Sequence, residues 1–493
     1  MAGVKKKFAV GSLWFFLGQG VSNIASFIIF AILARLLGPV DFGIVAFASV
    51  FIELSRSVAL AGLPTALIKD KVWDEDAAST AFWGNIGFSI VLALAVGGGL
   101  GYALTGTYGE NLDVILAALS VSLVIDAMRA THEAKLQRDF QFKNLAKRTA
   151  LATTGAGIIG VLLAFAGFGV WALVINRIAN SVIQTIIIWQ ATPWRPRWTF
   201  HRDKFVAMFK FGIHLGASAV FGQINRRVPE LLAGLIISPV AVGFYKVGGR
   251  MVNILFDLTI TPMQRTAIAG FSRLEGEEAL VRGYRGVTRA VSLVAFPAFY
   301  GMAALGRDLV ILLFGERWAE SGVIMSALAL FGGAAAVSYF VQPLLAAAGK
   351  THLASMRSLL TLLSNIIVCL CTAPFGTVVL AIGFAARAYV GVIPTLTLLK
   401  KAVGLPPSRV LADVFPTFFA AVIMGLTVYG LRYYVLQDHD RLLSLAMLVP
   451  LGAVIYAAVL ALFFRKYMRV VWQDLEPLAG PALAKLKGRR PAA

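Results

Sequence analysis

The run Gly222-Gln223-Ile224-Asn225-Arg226-Arg227-Val228-Pro229-Glu230 lies inside an apolar stretch bounded by Lys204 and by Ser238-Pro239. That stretch is long enough to cross a bilayer, since about 20 apolar residues at 1.5 Å rise span the hydrocarbon. Arg226 and Arg227 fall near its middle, and the next apolar stretch carries Lys246, Arg250 and Asp257. A charge at that depth costs about 2.5–3.5 kcal/mol on insertion scales. Such groups are expected to face protein or a water-filled cavity, with the rest of the chain as the scaffold around it.

The composition agrees. Of the 493 residues, 58% are hydrophobic and only 14% charged, with a mean hydropathy of +0.79. Soluble domains carry about 25% charged residues, so the chain reads as an all-α integral membrane protein. Its net charge of +20 would suggest nucleic acid in a soluble chain. Here cytoplasmic loops rich in Lys and Arg explain it better, and no aromatic-plus-basic RNA-binding module is present. Cys369 and Cys371 stand two residues apart on one apolar segment and do not face each other, so they support neither a disulfide nor a metal site. The five histidines form no ligand motif. No metal and no cofactor is expected. Met1 to Lys7 followed by apolar chain to Leu37 is too long for a signal peptide and reads as an uncleaved first span.

Gly, Pro and charge clusters divide the chain into fourteen candidate spans, at 9–37, 42–67, 78–104, 113–131, 147–167, 169–190, 206–237, 241–263, 286–305, 321–345, 352–373, 377–399, 411–431 and 442–464. With the N-terminus in the cytoplasm, roughly 30 Lys and Arg fall in cytoplasmic segments and their flanks, against about four in the outer loops (Arg307, Arg317, Arg432, Arg441). One lost span would invert everything after it, so both termini are placed in the cytoplasm. Ala31 to Gly43 is echoed about 200 residues later by Leu231 to Gly243, with Pro39/Pro239, Val40/Val240 and Gly43/Gly243 in register. A six-span offset gives both copies one orientation, the parallel type of repeat. The expected organisation is a six-helix lobe at 1–192, a cytoplasmic linker at 193–205 and a second six-helix lobe at 206–400. Two extra spans at 401–465 and a basic cytoplasmic tail at 466–493 complete it.

Three segments carry a family resemblance: Leu33-Ala34-Arg35-Leu36-Leu37-Gly38-Pro39-Val40-Asp41-Phe42-Gly43, Leu136-Gln137-Arg138-Asp139-Phe140-Gln141-Phe142-Lys143-Asn144-Leu145-Ala146, and Leu312-Leu313-Phe314-Gly315-Glu316-Arg317-Trp318. They are similar to segments of the polysaccharide transporter branch of the MOP superfamily, the Wzx-type flippases. The resemblance covers essentially the whole chain and implies translocation of undecaprenyl-diphosphate-linked oligosaccharide across the bacterial inner membrane by alternating access between two lobes. It implies no enzymatic step. The expected partners are the lipid-linked oligosaccharide, membrane lipids, H⁺ or Na⁺ as coupling ion, and polysaccharide polymerase machinery; no nucleic acid is expected.

Several charged side chains stand near mid-depth. Glu53 and Arg56 are spaced to pair at i,i+3 in span two. Spans six and twelve add Arg177 and Arg387 to the set in spans seven and eight, and cations outnumber carboxylates about two to one. A lipid diphosphate needs such an excess, and guanidinium groups stay charged and grip phosphate oxygens bidentately. Arg56, Arg226, Arg227 and Arg250 are the expected headgroup ligands, with Arg177 and Arg387 as further candidates. Other roles stay open: Glu53–Arg56 as a structural pair, Arg177 and Arg387 at helix C-termini or an interface. Adjacent residues diverge by about 100° on a helix, so one of Arg226 and Arg227 is expected to pair with Glu230. Glu53, Glu230 and Asp257 are the coupling-ion candidates. Pro229 removes a helix hydrogen bond and is the candidate gating residue. Arg282, Arg285 and Arg289 share one face, as on a helix lying along the membrane surface.

Two rival functions remain. A multidrug exporter of the same superfamily would want an acidic or aromatic cavity for organic cations. A membrane glycan polymerase or ligase would carry a large outer loop with catalytic Arg and His, whereas the outer loops here are short.

Overall fold

The computed structural model describes residues 20–60, 62–69, 73–104, 108 and 111–473. Lys5 to Lys7, the start of the span expected at 9–37, Lys71 and the tail from 474 lie outside the described residues. Within them the chain is helical and contains no strand. Eleven helices are long and apolar enough to cross a membrane. The remaining three expected spans also fall on helices: a shorter apolar one, α1 (Gly20–Leu36), and two that carry mid-depth charges.

The chain divides into two compact units, residues 1–243 and 244–493. Unit 1 contains α1, α2 (Pro39–Ala59), α3 (Leu63–Lys69), α4 (Glu75–Leu104), α5 (Leu112–Arg138), α6 (Phe142–Phe165), α7 (Val170–Ala191) and α8 (Arg202–Leu232). α5 is its centre and packs on α2, α3, α4, α6 and α7. The helix starts are written locally. Pro39 opens α2 with Asp41 in its first turn, where a carboxylate meets the positive end of the helix dipole. Asp74 caps α4 by accepting from the Asp76 and Ala77 N–H groups at 2.9 and 3.1 Å. The Lys204 ammonium, 2.6 Å away, holds the Asp74 carboxyl below its usual range. In α4, Ala95–Leu100 forms a π turn containing Gly97-Gly98-Gly99, where a Cβ on Gly97 would stand 3.0 Å from the Ala117 Cα. Gly97 thus serves a close approach of α4 to α5, while Gly98 and Gly99 have open space beside them.

The stretch 193–205 is pinned rather than loose. Trp194 is buried against Trp73, Phe82 and His132. Trp198 stacks on Trp83, whose indole donates to the Arg197 carbonyl at 2.8 Å. The Arg197 and His201 N–H groups donate to the Ser79 and Thr80 hydroxyls at 3.0 and 3.1 Å. α8 follows and packs on α2, α3 and α4, although the sequence placed 206–237 with the second lobe. Gly62 and Gly212 make that approach close: a Cβ on Gly212 would lie 2.2 Å from the Gly62 Cα.

The two echoing segments meet within unit 1. A Cβ on Gly43 would stand 2.5 Å from the Pro239 carbonyl oxygen and 2.6 Å from the Val240 Cα, and one on Gly243 would stand 3.0 Å from the Gly43 Cα. Backbone cannot step aside as a flexible side chain can. Gly43→Leu is therefore expected to cost about 1–3 kcal/mol or more through overpacking, read as a lower melting temperature of the purified protein.

Unit 2 takes most of α9 (Pro239–Phe271), then α10 (Glu277–Ala304), α11 (Gly306–Phe314), α12 (Ala319–Ser338), α13 (Val341–Ala347), α14 (Thr351–Thr372), α15 (Thr377–Val390), α16 (Val392–Val403), α17 (Pro407–Gly430) and α18 (Arg441–Phe463). α10 and α12 form its centre, with α17 on α10, α15 on α12 and α18 on α17. The Leu312–Trp318 motif is structural. Gly315 adopts φ 97°, and the fully buried Trp318 packs edge-on against Phe244. Arg432, expected in an outer loop, is buried and donates to both Asp308 oxygens at 2.8 and 2.9 Å. The surface-lying helix expected around Arg282 to Arg289 is corrected. These residues are the first turns of the membrane-crossing α10, and Arg285 and Arg289 reach the buried Asp413 of α17 at 2.6 and 3.1 Å. A carboxylate more than 120 residues away supplied the tertiary partner that periodicity cannot show.

Candidate functional site

The interior of unit 1 holds a network of charges contributed by five helices. On α2, Glu53 and Arg56 do not make the local i,i+3 pair the sequence suggested as their main contact. Arg56 donates to Asp126 of α5 at 2.9 Å. Glu53 accepts from Arg177 of α7 at 3.4 Å and forms a tight ion pair with Arg227 of α8. Partners on neighbouring helices win because each carboxylate there is buried and must be matched by whichever cation the packing brings.

The network extends in both directions. Arg227 also donates to both Glu230 oxygens at 2.8 Å, so the expected pairing of Glu230 with one of the two adjacent arginines falls to Arg227. Asp126 accepts from Arg129 at 3.0 Å, and Arg129 continues to Glu133, which also holds Arg148 of α6 at 2.8 Å. Arg177 lies within electrostatic reach of Arg56, Glu53, Asp126 and Arg227 and so joins the two halves. Five arginines thus face four carboxylates, fewer spare cations than the two-to-one excess read from the sequence.

The order of burial within this network matters more than its total charge. Around Glu53 the carboxylates are the more buried partners: Asp126, Glu230 and Glu53 are 1, 11 and 12% exposed at the side chain, against 24, 28 and 31% for Arg227, Arg56 and Arg177. Further along the network the order reverses, with Glu133 at 27% and its partners Arg129 and Arg148 at 12 and 8%. The buried acids near Glu53 fix three partly exposed arginines in place, which suits an incoming anion. At the Glu133 end of the network a cavity of about 570 Å³ is lined by Arg129, Glu133, Arg148, Thr149 and Gln184 among others.

The remaining expected site residues are dispersed. Arg226 is exposed and donates to Gln223 at 2.6 Å, so α8 turns it away from the network. Pro229 is buried within α8, which continues through it and closes with a π turn at Ala233–Ile237. In unit 2, Arg250 on α9 is partly buried, with Asp257 two turns on as its electrostatic neighbour. Asp257 itself is exposed and accepts from the Thr261 hydroxyl at 3.4 Å. Lys246 is partly buried on the same helix. Arg387 stands in the last turn of α15 and donates to Thr361 and Ser364 of α14.

Asp126, Arg129, Glu133, Arg148 and Arg357 were missed from sequence. Asp126 had a usable signal, as a carboxylate deep inside the span expected at 113–131. Glu133 had none, because that span was ended at Thr131, whereas α5 runs on to Arg138; Arg148 stood at the start of the span expected at 147–167 and read as a flanking charge.

Long apolar helices with a fixed, cation-faced polar network at depth define a multi-pass membrane transporter. Residues 32–323, more than half of the chain, match the family described as polysaccharide biosynthesis protein, and the chain belongs to that family. It is 21% identical to the succinoglycan biosynthesis transport protein ExoT of Rhizobium meliloti over 92% of this chain and 94% of that one. It is 23% identical to the teichuronic acid biosynthesis protein TuaB of Bacillus subtilis over 92 and 95%, and 21% identical to the lipopolysaccharide biosynthesis protein WzxC of Escherichia coli over 61 and 62%. Among solved structures, the lipid II flippase MurJ in an inward closed conformation matches with a TM-score of 0.74 at 15% identity, covering 92% of this chain and all of that one. An inward-facing multidrug resistance transporter of the MATE family matches with a TM-score of 0.58 at 14% identity, over 80 and 95%. The fold is that of the MOP superfamily.

Proposed function

We propose that this protein is a flippase carrying a polyprenyl-diphosphate-linked oligosaccharide from the cytoplasmic to the outer leaflet of the inner membrane, for export of a polysaccharide. The observation that carries this reading is the network of unit 1, in which Arg56, Arg177 and Arg227 are more exposed than the carboxylates Asp126, Glu53 and Glu230 that hold them. Family membership and relatives named for succinoglycan, teichuronic acid and lipopolysaccharide biosynthesis support it. The diphosphate binds Arg56, Arg177 and Arg227, while the lipid tail stays in the bilayer; Arg226 and, in unit 2, Arg250 are further proposed ligands. The chain works by alternating access over fourteen crossings, both termini are cytoplasmic, and no covalent bond changes. Pro229 and the π turn after it form the flexible point of α8. Polymerase machinery is the expected recipient of the flipped glycan.

Coupling follows from the shared partners. An anion that takes Arg177 and Arg227 releases Glu53 and Glu230, whose freed charge is then balanced by H⁺ or Na⁺; Asp257 offers the same capacity in unit 2. The multidrug-exporter reading fits poorly, since accessible guanidiniums repel an organic cation.

The test uses the purified chain in proteoliposomes with a labelled polyprenyl-diphosphate oligosaccharide, reading how much becomes accessible from the opposite leaflet. Arg250→Glu is expected to lower the rate at least about tenfold, the loss of one charge-assisted contact plus repulsion. A charge-reversed protein that flips at the wild-type rate, or a wild-type protein that lengthens the glycan without moving it, overturns the proposal.

A further inference from the structure

Most span arginines with partners in unit 2 meet a carboxylate: Arg285 and Arg289 share Asp413, and Arg432 holds Asp308. Two do not. Arg357 of α14 donates to the Ser338 carbonyl at 3.0 Å and to the Thr395 hydroxyl of α16 at 3.4 Å. Arg387 of α15 reaches back to α14, to the Thr361 carbonyl at 3.5 Å and the Ser364 hydroxyl at 3.4 Å, with its guanidinium 5.4 Å from the Phe384 ring centre. Every one of these partners is neutral. No carboxylate lies within 4.0 Å of either guanidinium among the described residues.

Among the described residues, the titratable groups with the main electrostatic influence on Arg357 are Tyr284 of α10, Tyr339 after α12, and Arg387 itself. Those with the main influence on Arg387 are Cys369 of α14, Tyr339, and Tyr245 of α9. Phenols and a thiol are uncharged near neutral pH. The last turn of α15 offers Arg387 carbonyl dipoles, but these amount to about half an elementary charge shared over the helix end. The donors are also under-used. A guanidinium has five N–H groups; Arg387 spends two on contacts at the long limit, and its Nε is buried with no acceptor.

The two forks also act on each other. Thr361, touched by Arg387, lies one turn beyond Arg357 on α14, and Arg387 is within electrostatic reach of Arg357. Two like charges in membrane-crossing helices, within that reach and without a carboxylate in contact, form a site completed by an anion. Paired planar forks select phosphoryl oxygens over a compact halide.

We propose that Arg357 and Arg387 form a second anion site, inside unit 2, that takes the diphosphate of the lipid-linked substrate. This rests on the flippase reading and adds a binding station to it. The shared chemistry is a diphosphate, from either the lipid or a free inorganic source.

The test measures binding of undecaprenyl diphosphate and of inorganic pyrophosphate to the full chain in nanodiscs, alongside melting of the ligand-free protein. Arg357→Gln and Arg387→Gln are each expected to weaken lipid-diphosphate binding about tenfold, with Arg357→Lys and Arg387→Lys intermediate. Because each neutral variant removes repulsion, its ligand-free melting temperature should stay level or rise, which a structural arginine would not allow. If a Gln variant does not fold, the Lys variants decide, since they keep the charge and lose the fork. Undiminished lipid-diphosphate binding by folded variants overturns the proposal, as does a loss confined to inorganic pyrophosphate. A wild-type protein that neither binds the lipid nor moves it defeats the flippase reading itself; one that binds and flips, with variants unaffected, defeats only this site.

Discussion

Asp126→Ala is expected to be the most damaging single change, lowering stability by about 3–5 kcal/mol, the usual cost of stripping one partner from a buried pair. Asp126 is 1% exposed and accepts from Arg56 at 2.9 Å and Arg129 at 3.0 Å. Without it two guanidiniums from different helices face each other through a desolvated gap, at the centre of the helix on which unit 1 is built. The check is thermal unfolding of the purified protein in detergent together with its abundance in membranes. A compensating Arg129→Met should recover part of the loss, because it removes one of the two guanidiniums left repelling each other, while Glu133 keeps Arg148. An unchanged melting temperature in Asp126→Ala would mean that the network does not hold unit 1 together.

Arg56→Gln is expected to act the other way round, sparing the fold and removing transport. Asp126 keeps Arg129 as a partner, so no carboxylate is orphaned. The charge of Arg56 is lost, however, and with it one of the three partly exposed cations held by the buried acids near Glu53. Charge-assisted hydrogen bonds contribute about 1.5–3 kcal/mol, which corresponds to a fall in flipping of roughly ten- to more than a hundredfold. The proteoliposome assay measures it, with melting as the control. Normal flipping by a stable Arg56→Gln protein would remove Arg56 from the substrate site.

Both variants rest on residues that were unequally legible in the sequence. Arg56, Arg177 and Arg227 announced themselves as charges inside apolar stretches, because a mid-depth charge has few innocent explanations. Their partners did not. Glu53 sits three residues before Arg56, and one-dimensional spacing invited a local pair, yet it forms ion pairs with Arg177 of α7 and Arg227 of α8. Arg226 and Arg227 read alike until the rotation of α8 sent one to Gln223 and the other to two carboxylates. Asp413 looked like a residue at the edge of a span until it proved to anchor two arginines of α10.

What the sequence determined alone was the kind of molecule: apolar runs of bilayer length, punctuated by Gly, Pro and charge, leave helices as the state that satisfies their backbone in lipid. It also determined where charge would sit in depth, since depth follows from position along a helix. The tertiary structure alone decided who pairs with whom, because a side chain's partner depends on the rotation and neighbours of its helix. It likewise decided that Asp126, Glu53 and Glu230 are more buried than the arginines they hold at Arg56, Arg177 and Arg227, an ordering that no linear pattern records.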